Sequence, residues 1–109
     1  MFTAEIVSWN AKPEVTPQQM LGAIEAMLPD LKQLPGFIYQ SAGQTESGRW
    51  VEIYYWDNAD NAHKSNERMA TKASLANLME LIEADSVTME VIETAQQSSS
   101  LSITGHLQD

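Results

Sequence analysis

Hydrophobic and polar residues alternate in four stretches of this chain, and between these stretches they recur at helical spacing. The alternating stretches are Phe2 to Trp9, Phe37 to Ala42, Trp50 to Trp56 and Ser86 to Thr94. Each has the length and the β-branched or aromatic content of a strand. The middle two flank the polar turn QTESG and read as a β-hairpin. Before them, Thr16-Pro17-Gln18-Gln19 opens a helix. Thr16 can accept from the amide of Gln19, the Gln19 side chain can return the bond, and Pro17 suits the first helical position. Met20, Ile24, Met27, Leu28 and Leu31 then form one apolar stripe. Pro29 interrupts it, because its ring nitrogen cannot donate to the carbonyl of Glu25. A kink or restarted turn is expected there, ending at Leu34-Pro35-Gly36.

After Trp56, Asp57 or Asn58 caps a second helix. Its inner face, Ala59, Ala62, Asn66 and Met69, is small enough for close approach to a sheet. Leu75, Leu78, Met79 and Ile82 continue or follow it. The order βαββαβ predicts an α+β, ferredoxin-like fold with a four-stranded antiparallel sheet in the order 4-1-3-2. The domain is expected over residues 1–95. From Gln96 the composition turns to QQSSS and then LSITGHLQD, so residues 96–109 read as a polar linker and a C-terminal arm, either frayed or paired with a sheet edge.

Strand parity divides the sheet into two faces. Ala4, Ile6, Phe37, Tyr39, Val51, Ile53, Tyr55, Met89 and Val91 share one. Glu5, Val7, Trp9, Ile38, Gln40, Trp50, Glu52, Tyr54, Trp56, Glu90 and Ile92 share the other. Right-handed crossovers place both helices on one side, which leaves large apolar residues on the other side in water. A homodimer follows, with Val7, Trp9, Ile38, Trp50, Tyr54 and Ile92 as its expected seam. A bulge in any strand would exchange the parity.

Composition narrows the partners. Fifteen acidic against six basic residues in 109 give a formal charge of −9, which repels nucleic-acid backbones and anionic membranes. There is no cysteine, so disulfides and thiolate chemistry are absent. With no leader pattern and no apolar run of ~20 residues, the expectation is a cytoplasmic protein that binds neither nucleic acid nor membrane.

With LPGF at Leu34 to Phe37 opening the second strand, and YYWDNAD at Tyr54 to Asp60 carrying the third strand into a helix, the chain resembles the dimeric α/β-barrel superfamily. Within it, the chain resembles the antibiotic-biosynthesis-monooxygenase-like proteins over Phe2 to Ala95. That group includes quinone-forming oxygenases and haem-degrading enzymes. Its cofactor-free oxygenases resemble one another in an Asn four residues before the strand-ending Trp. Here Trp56 stands, but the Asn position is Glu52. The haem-degrading branch takes an iron ligand from a histidine after this strand, and Thr71 to Ile82 contains none.

The resemblance implies a pocket bounded by the sheet, Trp56 and the second helix. Trp56, Glu52 and His63 are the candidate catalytic residues, and Trp9, Tyr54 and Trp56 the candidate substrate contacts, with no cofactor and no metal. Each has a plainer reading. The aromatics are core or interface packing, and His63, about two turns past Trp56, is a surface histidine. Glu5, Glu52 and Glu90 are expected on three neighbouring strands of one face. There, like charges would raise at least one pKa, or the carboxylates are solvated at a dimer seam. Two functions remain open: a cofactor-free monooxygenase acting on an aromatic or polyketide-like substrate, and a non-catalytic dimeric sensing or assembly module.

Overall fold

A computed structural model describes residues 2–98, so most of the expected C-terminal arm lies outside the described residues. Strands β1 (Thr3–Trp9), β2 (Phe37–Gln44), β3 (Trp50–Trp56) and β4 (Thr88–Glu93) form one antiparallel sheet in the order β2-β3-β1-β4. Helices α1 (Pro17–Ala26), α2 (Leu28–Leu31), α3 (Ala59–Met69) and α4 (Ala73–Met79) complete the ferredoxin-like βαββαβ order.

The helix boundaries follow local chemistry. At α1 the Thr16 hydroxyl accepts from Gln19 N at 3.1 Å and the Gln19 side-chain Oε1 accepts from Thr16 N at 2.8 Å, a reciprocal cap. The stripe does restart at the proline: α1 ends at Ala26, and Pro29 occupies the first turn of α2, where a missing N–H costs nothing. Asn58 caps α3, its side-chain oxygen accepting from Asn61 N at 2.8 Å. Ala62 and Ser65 are buried beneath that helix, and their small size lets α3 lie close to the sheet.

The two faces are distributed differently from the simple alternation. Opposite Trp56 and Tyr55, β2 pairs Phe37 and Tyr39, so Ile38 is an extra residue in a bulge. Phe37 therefore shares a face with Trp56 and Gln40, and packs edge-on to Trp56 with ring centroids 5.7 Å apart. On β4 the register sets Met89 opposite Val7 and Val91 opposite Glu5. Met89 and Val91 thus belong to the face of Glu5, whereas Glu90 and Ile92 lie on the opposite face.

The helices cover the face that carries Val7, Trp9, Trp50, Tyr54 and Trp56, and the last four of these are buried. That face is the core, so Val7, Trp9, Trp50 and Tyr54, expected at a dimer seam, pack under the helices instead, while Ile92 lies on the uncovered face. Burial decides between the two faces: three indoles and a phenol remove far more apolar area from water than Ala4, Ile6, Val51 and Ile53 would. The uncovered face carries those smaller residues, with Tyr55, Tyr39 (41% exposed) and Ile92 (46% exposed). Among the described residues no helix is long and apolar enough to cross a membrane.

Gly36 fixes where the second strand begins. It sits at φ 81°, and a Cβ there would collide with the side chains of Asp57 and Asn61, which bond to each other at 2.8 Å. Gly36→Ala is expected to lose about 1–3 kcal/mol, the cost of a strained left-handed residue. Urea denaturation should show a lower midpoint at unchanged slope.

Candidate active site

Between the covered face of the sheet and helices α3 and α4 lies a cavity of about 300 Å³. Its floor is Glu5, Val7 and Trp9 from β1 and Glu52, Tyr54 and Trp56 from β3. Residues two apart on a strand point the same way, which is why these two strand sets meet in one place. The walls are apolar, with Met27, Met69, Leu75 and Leu78 among them. Thioethers make such a lining adaptable to flat ligands. The lining residues Asn66, Met79 (41% exposed) and Met89 (45% exposed) reach solvent. They mark the mouth, between α3, α4 and the edge strand β4.

Two carboxylates lie on this floor, each only 2% exposed. Glu5 accepts from the Trp56 indole N–H at 3.0 Å. Glu52 accepts from the Tyr54 hydroxyl at 2.8 Å with one oxygen and from the Gln40 amide at 2.7 Å with the other. Bonds of this kind to a charged group contribute about 1.5–3 kcal/mol each. They do not cancel the loss of water. Burial holds the pKa of Glu5 above the ordinary carboxyl value, against the lowering effects of Trp56, the charge of His63 and Asn66. Burial likewise raises Glu52, Tyr54 and Gln40 oppose the rise, and the charge of Glu5 adds to it. Tyr54 is pushed well above its ordinary value by burial and by Glu52, so it remains a donor.

Trp9 differs from the other aromatics. It is 1% exposed and lines the cavity, yet its indole N–H has no hydrogen-bond partner among the described residues. Tyr54 and Trp56 stack at 6.1 Å with 27° between their planes.

The cavity brings together four of the residues singled out from the sequence: Trp9, Glu52, Tyr54 and Trp56. His63 is not among its lining residues. It is exposed on α3 and acts on Glu5 only through its charge. The expected glutamate trio is a pair, because the β4 register turns Glu90 to the other face. No group of three or more residues able to hold a metal ion occurs among the described residues. Two contributors escaped the sequence reading: Gln40 as a partner of Glu52, and the donor from Trp56 to Glu5. Asn66 had a visible signal, since it lies four residues past Ala62 on the inner stripe of α3.

No family model and no curated protein matches the sequence. Solved structures do. SnoaB from Streptomyces nogalater, a cofactor-independent oxygenase, is 11% identical with a TM-score of 0.73, covering 91% of this chain and 98% of its own. A candidate antibiotic biosynthesis monooxygenase from Bordetella bronchiseptica is 12% identical with a TM-score of 0.75, covering 87% and 98%. A dimeric ferredoxin-like protein of unknown function from Thermobifida fusca is 15% identical with a TM-score of 0.67, covering 86% and 92%. The fold is therefore one that cofactor-independent oxygenases share with proteins of unknown role.

The raised carboxyls carry a pH signature. Between the ordinary value of 4.5 and the raised folded values, the folded chain keeps protons that the unfolded chain has released. Their stabilising contribution is full below pH 4.5 and is lost as pH rises through the folded values. A glutamine does not titrate, so the Tm of Glu52→Gln minus that of the wild type should increase with pH. A difference that stays constant in thermal melts from acid to neutral pH would contradict the assignment.

Proposed function

We propose that the cavity is the ligand site of a small-molecule enzyme of the monooxygenase-like group, acting without a cofactor on an aromatic or polyketide-like substrate. The observation that carries this reading is a buried carboxylate, Glu52, on the floor of an aromatic-walled cavity that opens to solvent. A flat ring fits between the stacked Tyr54–Trp56 pair and the methionines. Glu52, with its pKa raised by burial, is suited to take a proton from a ring hydroxyl. An electron-rich phenolate can then reduce dioxygen. One oxygen atom enters the ring as the new carbonyl and the other leaves as water, so a phenol and one dioxygen give a quinone and one water. Trp56 acts as a wall, since its N–H is engaged by Glu5. SnoaB, described as a cofactor-independent oxygenase, gives the same fold a precedent for this chemistry.

A second reading has one specific support: Glu52 stands where the resemblance leads one to expect an asparagine. On that reading the chain is a non-catalytic dimeric module that senses a ligand in the same cavity. Oxygen uptake with a panel of quinol and naphthol substrates separates the two. For the enzyme, Glu52→Gln should lower turnover by about 10²–10⁴-fold, the range for a general base, while binding persists. Binding without oxygen uptake in the wild type would select the sensing module.

The homodimer is proposed to form through the uncovered face around Ile6, Ile53, Tyr55, Tyr39 and Ile92. Its support is the apolar character of that face and the dimeric description of the Thermobifida fusca protein. At ~25 cal/mol per Å², a seam of about 1,000 Å² or more suffices for a stable pair. Light scattering at micromolar concentration should give a dimer mass, and Ile53→Glu a monomer. A monomeric wild type would refute the pairing.

A further inference from the structure

Three features of the cavity bear on the chemistry of what enters it. Both floor carboxylates are buried, and no lysine, arginine or histidine among the described residues lines the cavity. The one ion pair found among the described residues, Lys64 with Asp60, lies on the exposed side of α3. A buried carboxylate without a counter-charge is costly. His63 bears on Glu5 electrostatically from outside the lining. Independently, Trp9 offers a buried N–H with no acceptor among the described residues.

The spacing of these groups sets a length. Glu5, Val7 and Trp9 face the cavity from one strand, and Val7 pairs with Glu52 on the next. At ~3.3 Å per residue, Trp9 stands about 13 Å along the strand from Glu5 and about 7 Å beyond the rung of Glu52. Glu5 lies within reach of Asn66 at the mouth.

We infer that the cavity selects an elongated aromatic ligand carrying an ammonium group, which pairs with Glu5 near the mouth, and a hydrogen-bond acceptor at its far end, which meets the N–H of Trp9. This rests on the reading of the cavity as a ligand site and adds the class of ligand. The net charge of −9 draws cations toward the mouth. A carboxylate-bearing ligand would meet repulsion from Glu5 and Glu52 on this floor.

Three probes of equal shape test it: naphthylmethylamine, naphthylmethanol and naphthoate, titrated against the full chain by tryptophan fluorescence. The amine should bind at least about tenfold more tightly than the alcohol, a difference of ~1.4 kcal/mol, and naphthoate should not bind. Glu5→Gln should erase the preference of amine over alcohol. A methoxy group at the far end of the amine should add affinity that Trp9→Phe removes. If a variant fails to fold, the wild-type ranking decides.

Alcohol binding as well as amine, or binding of naphthoate, overturns the inference and leaves the cavity a ligand site. An amine preference that survives in Glu5→Gln overturns it too, assigning the preference to overall charge. Binding of none of the three overturns the inference together with the reading of the cavity.

Discussion

The burial of two carboxylates beneath a helix is the constraint on which the rest of this structure depends. Removing an ionised carboxylate from water costs several kcal/mol even after relaxation, so each needs donors at fixed positions. Glu5 takes its donor from Trp56, which lies on β3 four residues past Glu52, the rung partner of Val7, and Glu52 takes its donors from Tyr54 and Gln40. Those bonds require β1, β2 and β3 to keep one register. A slip of one residue would turn the donors to the other face and leave both charges stranded. The aromatic residues at positions 54 and 56 thus serve as packing and as polar partners, which a phenylalanine at either position could not do.

The same constraint explains why the space above the carboxylates stays open. Apolar side chains closing onto them would deepen their desolvation. Ala62 and Ser65 bring α3 close to the strand ends, and Ser65 satisfies its own hydroxyl on the carbonyl of Ala62 at 2.6 Å. The cavity lies beside that contact, walled by methionine and leucine side chains that have no polar atom to offer. A polar floor under apolar walls breaks the local rule that buried charges are paired.

The helices cover one face of the sheet and leave the other open. Its residues are smaller and aliphatic except for Tyr39 and Tyr55, whose rings lie 6.3 Å apart. At one end of this face Arg49 spans three strands, reaching the Ser8 hydroxyl at 3.2 Å and the carbonyl of Ser86 at 2.7 Å. It holds β1, β3 and the approach to β4 together without entering the cavity. Substitutions on the outer face can change association while the site beneath keeps its geometry.

Local signals in the sequence determined the elements. The Thr16 cap, the restart at Pro29, the Asn58 cap and the turn at QTESG each depend on residues within a few positions of one another, and all four stand as read. The period-two set Trp50, Glu52, Tyr54 and Trp56 was legible for the same reason, and with it most of the cavity floor. What only the tertiary structure decided was which face the helices would cover, and how β2 and β4 would align with it. The extra residue Ile38 shifts parity within β2, and the pairing of Met89 with Val7 sends Glu90 outward. Neither leaves a mark on its own segment, because a strand alternates in the same way whichever side is buried. Register is a property of two strands and the core between them, so it becomes fixed only when the large aromatics find the helices.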